Sequence, residues 1–196
     1  TVFYHEGVKM AKILFISHMY PNKNDYAYGK VIYEQALSLA SNHEIIVIAP
    51  VPFVPPFFKY LKKRYAKLKQ IKKENTISGI KVYYPRFIVF GSFLFCYTGL
   101  FMYLSIKRFV KKLHEKHKFD LIHAHFTIPD GDAGAKLKRK LHIPLIITIQ
   151  ATDINYTIKN CPQKLIKVLS YADRIIVPTP ILGEKLSTYI NISYEV

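Results

Sequence analysis

The sequence predicts an α/β fold, a doubly wound, Rossmann-like parallel sheet, and three observations carry that prediction. Short runs such as Lys12 to Ser17, Glu44 to Ala49 and Leu121 to His125 are apolar at almost every position, as strands covered on both faces are. Segments of helical period alternate with these runs along the chain. Polar turns containing Gly or Pro follow the runs, and in an open α/β sheet ligands sit in the crevice beyond the carboxyl ends of the strands.

Each element can be justified in order. Lys12 to Ser17 is too short for a helix and is a buried strand. A polar loop, His18 to Tyr28, follows with Pro21 and Asn22 as breakers. From Gly29 the apolar positions Val31, Ile32, Ala36, Leu37, Leu39 and Ala40 fall in helical period. Glu44 to Ala49 is the second strand, stopped by Pro50, and Ile80 to Tyr84 is the third. Residues 92–118 form a long helix, apolar early and basic late. Leu121 to His125 is a strand, 131–141 a helix, Pro144 to Ile149 a strand, 162–170 a helix and Arg174 to Val177 a strand. Thr179 caps the last helix, with Pro180 at its first position. Residues 1–11 are an N-terminal extension to a single domain, 12–196.

Residues 51–79 are an insertion of different character. The run Pro50 to Phe58 is too rich in Pro for regular structure. Beyond it, eight of the fifteen residues from Lys59 to Lys73 are basic, while Phe57, Leu61, Tyr65 and Leu68 share one helical face. A basic amphipathic helix beside a Phe/Pro loop suits a membrane surface, with Phe53, Phe57 and Phe58 as apolar contacts and Lys62, Lys63 and Arg64 as charges. The competing reading is a solvated face whose aromatics pack on the domain itself. The uncharged stretch 87–106 is long enough to span a bilayer. Its Gly, Ser and Thr residues favour a helix buried in the domain, or lying partly on a membrane.

Composition bounds the partners. The chain has 196 residues, half of them hydrophobic, enough for one well-buried domain. Twenty-nine Lys and Arg against 13 acids give a net charge of +16, which implies an anionic partner: nucleic acid, a membrane surface or a phosphorylated substrate. No nucleic-acid signature accompanies the charge. The two cysteines, Cys96 and Cys161, are far apart and in no metal-like spacing, which argues for a reducing compartment and against a disulfide framework. No signal peptide is expected, because the first apolar run reads as a strand.

The most informative stretch is Asp120-Leu-Ile-His-Ala-His-Phe126, which places His123 and His125 on one face of a strand. His123, deeper in the strand, reads as a core imidazole bonded to backbone. His125, at the tip, is the candidate catalytic residue. A metal set of His123, His125, Asp130 and Asp132 lacks a ligand from a third strand, so no metal is expected. Gly29 alone does not make a dinucleotide-binding motif, and a nicotinamide reading is rejected. One glycine at a helix start still lets backbone N–H groups approach a phosphate or sugar. Gln150, Thr152 and Asp153 form a polar loop at another strand's end, with Asp153 also readable as a helix cap. Tyr26 in the first loop suits stacking on a sugar ring.

Together these pieces resemble the N-terminal domain of the retaining, nucleotide-sugar-dependent glycosyltransferases of GT-B fold, the "group 1" family. The matching text is KILFISHMYP at 12–21, GKVIYEQALSLA at 29–40, HEIIVIAP at 43–50, DLIHAHFTIPDG at 120–131, PLIITIQATDIN at 144–155 and ADRIIVPTPILGEKL at 172–186. Where the family commonly has His-Gly-Ser-Asp this chain has Gln150-Ala-Thr-Asp153, and the frequent double glycine is Tyr28-Gly29.

The resemblance implies the acceptor-binding half of a nucleotide-sugar-dependent enzyme of cell-surface glycan synthesis. His125 matches a cleft histidine near the reacting sugar, and Gly29 a backbone contact to the donor phosphate. Asp153 is a cleft polar residue, with Tyr26, Lys30, Gln150 and Thr152 around the acceptor. The expected partners are a sugar or lipid-linked acceptor, an absent C-terminal donor lobe and an anionic membrane surface, with no nucleic acid. No bound cofactor is expected beyond the sugar-nucleotide donor of the full enzyme. The isolated chain is expected to be inactive, cytoplasmic, and peripheral on the inner face of the membrane. The alternative is a non-catalytic basic α/β module docking on anionic membrane or on a partner lobe.

Overall fold

In a computed structural model that describes residues 10–22, 25–53, 68–90 and 92–196, the apolar runs line up as strands of one seven-stranded sheet. In chain order the elements are β1 (Lys12–Ile16), α1 (Lys30–Ala40), β2 (Glu44–Ile48), β3 (Val51–Pro52), β4 (Glu74–Ile77), β5 (Ile80–Tyr83) and β6 (Arg86–Phe87). They continue with α2 (Thr98–His117), β7 (Leu121–His125), α3 (Asp132–Leu141), β8 (Leu145–Thr148), α4 (Pro162–Leu169), β9 (Arg174–Ile176) and α5 (Pro180–Ser187). The sheet order is β4-β5-β2-β1-β7-β8-β9. All its pairings are parallel except β4 with β5.

Both faces are covered, which is why the strands carry so few polar residues. Leu14, Ile16, Ile46, Ile122, Ala124 and Ile147 pack under Met102, Ile106 and Val110 of α2, Leu137 of α3 and Leu165 of α4. Ile13, Phe15, Ile45, Val47 and Val82 pack under Ile32, Tyr33 and Ala36 of α1. From β1 the chain moves outward to β2 and then returns to place β7 on the other flank of β1. The carboxyl ends of β1 and β7 are therefore the point where strand order reverses, the preferred ligand position in such sheets.

The structure departs from expectation in four places. Val51–Pro52 is a strand after all, pairing in parallel with β6. Proline is tolerated because the bridging N–H groups come from its neighbours, Val51 to the Pro85 carbonyl (2.9 Å) and Phe53 to the Phe87 carbonyl (2.7 Å). Part of the 51–79 insertion, Glu74–Ile77, forms the antiparallel edge strand. The helix expected from residue 92 starts as a 3-10 turn, Ser92–Tyr97, and becomes α-helical only at Thr98. Cys96 and Cys161 are joined in a disulfide with their Cα atoms 5.8 Å apart. Sequence separation concealed that pair, because the fold brings the turn before α2 against the turn before α4.

The capping residues of the last helix are as expected: the Thr179 side chain accepts from the Leu182 N–H at 3.3 Å, with Pro180 first in α5. By length and composition the stretch Phe93–His117 could cross a membrane. Its inner face is nonetheless the core of this domain, with Met102, Ile106 and Val110 fully buried. Of the residues expected to meet a membrane, Phe53 is half-exposed at the end of β3. Phe57, Phe58, Lys62, Lys63 and Arg64 lie outside the described residues.

Candidate active site

The loops leaving β1, β7 and β8 meet at the carboxyl edge of the sheet. Their junction is built around two buried carboxylates. Asp130, in the turn after β7, accepts the backbone N–H of His18 at 2.9 Å and the His18 Nδ1 proton at 2.6 Å. Asp130 is fully buried, whereas about a quarter of the His18 side chain is open to solvent. Burial works against a charge on His18, but the Asp130 carboxylate, by charge and by hydrogen bond, and Asp153 beyond it raise its pKa. Burial likewise pushes Asp130 up while His18 pulls it back. The pair thus holds a proton between them, on an imidazole that faces the crevice. Its span across β1 and β7 places it at the strand-order reversal.

Asp153 ties the other two loops together. It accepts from the Thr127 N–H at 3.0 Å, from the Thr127 hydroxyl, and from the Gln150 N–H at 3.0 Å. Burial lifts its pKa to about 6, partly offset by the bonds from Thr127 and Gln150. Asp153 is wholly enclosed, so its work here is to position the loops after β7 and β8.

The two histidines of β7 point to the α1 side and have different lots. His123 is bonded through Nε2 to the Thr148 hydroxyl at 2.8 Å, a side-chain partner where backbone was expected. Burial lowers its pKa to about 4. His125 is completely enclosed, with Phe15 at 4.3 Å and His123 at 4.6 Å between ring centres. Neither of its ring nitrogens has a hydrogen-bond partner. Burial, and then the neighbouring His123, hold its pKa well below the ordinary value, so it is neutral. Immediately after it, Phe126 adopts φ +69° and ψ 148°, a region that side chains rarely enter. The conformation is pinned by the Phe126 N–H to Thr148 (3.0 Å) and by the bond of Gly131 N–H back to the Phe126 carbonyl (3.0 Å).

Around this junction lie the remaining candidates. Tyr26 is exposed, its ring 5.9 Å from Tyr33. Gly29 stands at φ +74° before α1, and a side chain there would lie 2.3 Å from the Met19 carbonyl oxygen. The room it leaves is therefore used by the β1 loop itself. Lys30 is exposed and pairs with Glu34 at 3.7 Å. Thr152 is exposed, while Gln150 is half-buried with its amide nitrogen unpartnered. The residues weighed as a metal set do not converge: Asp130 binds His18, and Asp132 binds Lys136 and Lys164 (2.9 Å). A cavity of about 340 Å³ lies elsewhere, beside the amino end of β9 between Asp173, Arg174 and Tyr194. It is remote from the junction, which lies at the opposite, carboxyl edge of the sheet.

Sequence reasoning missed His18. Its partner lies 112 residues away. The available signal was the pairing of β1 with β7, in which Ile16 stands beside Ala124 and so brings the next turns together.

Residues 29–195 match the model of Glycosyltransferase Family 4. The chain is 32% identical over 152 residues to TuaC of Bacillus subtilis (strain 168), provisionally assigned as a teichuronic acid biosynthesis glycosyltransferase; the match covers 74% of this chain and 37% of TuaC. It is 28% identical over 118 residues to the alpha-monoglucosyldiacylglycerol synthase of Acholeplasma laidlawii, covering 60% of this chain and 24% of that protein. The chain thus spans well under half the length of these relatives. In three dimensions it is similar to a protein from Listeria monocytogenes assigned as a UDP-N-acetylglucosamine 2-epimerase. That likeness has a TM-score of 0.51 at 10% identity, over 92% of this chain and 43% of the other, and it bears on fold alone.

Proposed function

The chain belongs to glycosyltransferase family 4, and from that premise we propose that it is the acceptor-side lobe of a retaining, nucleotide-sugar-dependent glycosyltransferase. The acceptor is a sugar or lipid-linked molecule of cell-surface glycan synthesis, the class to which the teichuronic acid and glucosyldiacylglycerol relatives point. The donor is held by a second lobe, and this chain alone is inactive because half a cleft cannot orient both substrates. The protein works at the inner face of the membrane, although the Cys96–Cys161 disulfide removes the cysteine argument for a reducing compartment.

The observation that carries this reading is the convergence of His18, His125 and the polar loop Gln150–Asp153 at the strand-order reversal. His125 is assigned to the reacting sugar. Its two unpartnered nitrogens support that role, since buried polar groups are otherwise paired, as His123 is with Thr148. Its enclosure, with Phe15 and His123 against its ring, means that the packing around it opens before contact. His18, oriented by Asp130, offers a proton or positive charge to the leaving phosphate. Gly29 at the start of α1 approaches the donor phosphate, and Tyr26, Lys30, Gln150 and Thr152 flank the acceptor. Losing one positioned donor of this kind costs about 10²–10³ in rate.

A sugar-transfer assay with a panel of nucleotide sugars and membrane-lipid acceptors tests the proposal. The protein extended by its donor lobe should transfer, His125→Ala should lower turnover about a hundredfold or more, and residues 1–196 alone should not transfer. Full turnover by His125→Ala in a folded protein removes that residue from the mechanism. The enclosure of His125 also favours a second reading, a non-catalytic module docking on anionic membrane or a partner lobe. No transfer by the extended protein to any acceptor would leave that one standing.

A further inference from the structure

One edge of the sheet has no use in the reading above. The antiparallel hairpin of β4 and β5 turns through Ser78 and Gly79, which both take left-handed backbone conformations, φ +47° and +81°. Two such residues give the turn whose hand matches the twist of the flanking strands. Glycine enters that region freely. Serine enters it at a cost, and residues of this kind persist where the surroundings hold them. What holds Ser78 lies across the sheet edge, 45 residues back in the chain: its hydroxyl bonds the Tyr33 hydroxyl of α1 at 2.7 Å.

Tyr33 is buried and passes the link on. Its hydroxyl also bonds that of Tyr26 in the β1–α1 loop, and the two rings meet edge to face at 5.9 Å. Tyr20 lies against Tyr33 at 6.1 Å, Phe15 against Tyr20 at 6.4 Å, and Phe15 against His125 at 4.3 Å. A continuous row of rings thus runs from His125 of β7 to Tyr26. The hairpin grips the same loop a second time, because Tyr84, just after β5, is buried and donates its hydroxyl to the Pro21 carbonyl at 2.6 Å. Between the two grips, paired backbone bonds of 3.1 Å join Asn22 and Asp25. A loop tied at these points presents Tyr26 in one orientation, with 56% of the residue exposed.

We propose that Ser78 and Tyr33 are positioning residues that hold Tyr26 as a platform for a pyranose ring, so that the acceptor is an already glycosylated molecule rather than a bare lipid alcohol. The choice rests on the acceptor-side reading above and narrows it. With its hydroxyl engaged by Tyr33, Tyr26 has the face of its ring to offer. The C–H face of a pyranose is flat and apolar and lies well on such a ring, whereas an acylglycerol hydroxyl brings no rigid face. A tyrosine fixed in advance adds contact area at little cost in ordering. The strained serine is thereby explained: its place in the turn is kept for the bond it makes to Tyr33.

A fluorotyrosine placed at position 26 reports the positioning by fluorine NMR, with no sugar transfer involved. The parent should give a single resonance that moves on addition of the methyl glycosides of glucose, galactose or N-acetylglucosamine, and not on addition of glycerol. Ser78→Ala and Tyr33→Phe should each shift or split that resonance and weaken the glycoside response about fivefold, the loss of one hydrogen bond. Ser78→Asn tolerates the left-handed turn, keeps a polar side chain and should restore both. Ser78→Gly should alter the resonance while leaving the urea midpoint no lower than that of the parent, which separates positioning from folding. In the protein extended by its donor lobe, Ser78→Ala should raise KM for a glycolipid acceptor about fivefold, with kcat and the KM of the nucleotide sugar little changed. An unaltered resonance in Ser78→Ala overturns the positioning. No response to any of the glycosides, or faster transfer to diacylglycerol than to every glycosylated acceptor, overturns the platform. The resonances are read without donor, so a transfer assay that fails for every acceptor removes the enzymatic reading and not this result.

Discussion

A buried imidazole resists taking up a proton, and the two histidines of β7 make stability depend on pH. Both have folded-state pKa values below the ordinary 6.5, about 4 for His123 and, by burial and then the neighbouring His123, well below the ordinary value for His125. Between pH 6.5 and 4 the unfolded chain therefore binds protons that the folded chain refuses, and stability falls on acidification. His123 alone accounts for on the order of 3 kcal/mol across that window. Asp153 acts in the opposite sense, since its pKa is raised to about 6 and it disfavours the fold as pH rises from about 4 to 6. Asp130 and His18, whose pKa values are also raised, act in the same sense as Asp153. The test is therefore the difference between proteins: in urea unfolding, His125→Leu should be less weakened at pH 4.5 relative to pH 7 than the parent; an unchanged acid limb in the variant would contradict the assignment. Gly29→Ala should cost about 1–3 kcal/mol in the same assay, because φ +74° and the Met19 carbonyl both oppose a side chain. His125 was legible as a site candidate from its place after an apolar run. Its enclosure was not, since that depends on Phe15 from another strand. His18 could be found only once β1 and β7 were known to be neighbours.

At the level of elements, the disulfide is the most consequential link that spacing concealed. It closes a loop across 65 residues, joining the turn before α2 to the base of α4. A loop of that length stabilises by up to about 4 kcal/mol through the entropy of the unfolded chain. Unfolding with and without reductant should differ by about 2–4 kcal/mol, and Cys96→Ser should behave like the reduced protein. No difference would mean that the link is unimportant to stability. The central strands were readable because their burial on two faces leaves an unbroken apolar text, as in Glu44–Ile48 and Leu121–His125. Glu74–Ile77 was not, because an edge strand with exposed Glu, Asn and Thr carries no such text. Its place is set by its partner β5, where Ile80 and Val82 alternate inward. The two-residue Val51–Pro52 strand is likewise dictated by β6. The basic amphipathic pattern from Lys59 falls mostly outside the described residues.

For the whole molecule, the charge of +16 and the junction at the strand-order reversal belong to one account. In the proposed account this member of glycosyltransferase family 4 is an acceptor-side lobe, completed by a lobe that holds the donor. The family match covers residues 29–195, so the loops carrying His125, Gln150 and Asp153 fall within it, and His18 lies just before it. The order of motifs along the chain made the family legible; the division of labour between lobes is what remains to be measured. The most direct measurement is titration calorimetry of uridine and guanosine nucleotide sugars into residues 1–196. The account predicts at most weak binding, with dissociation constants in the millimolar range, about −4 kcal/mol. Micromolar binding by this chain alone would contradict it, because the donor would then be held without a second lobe.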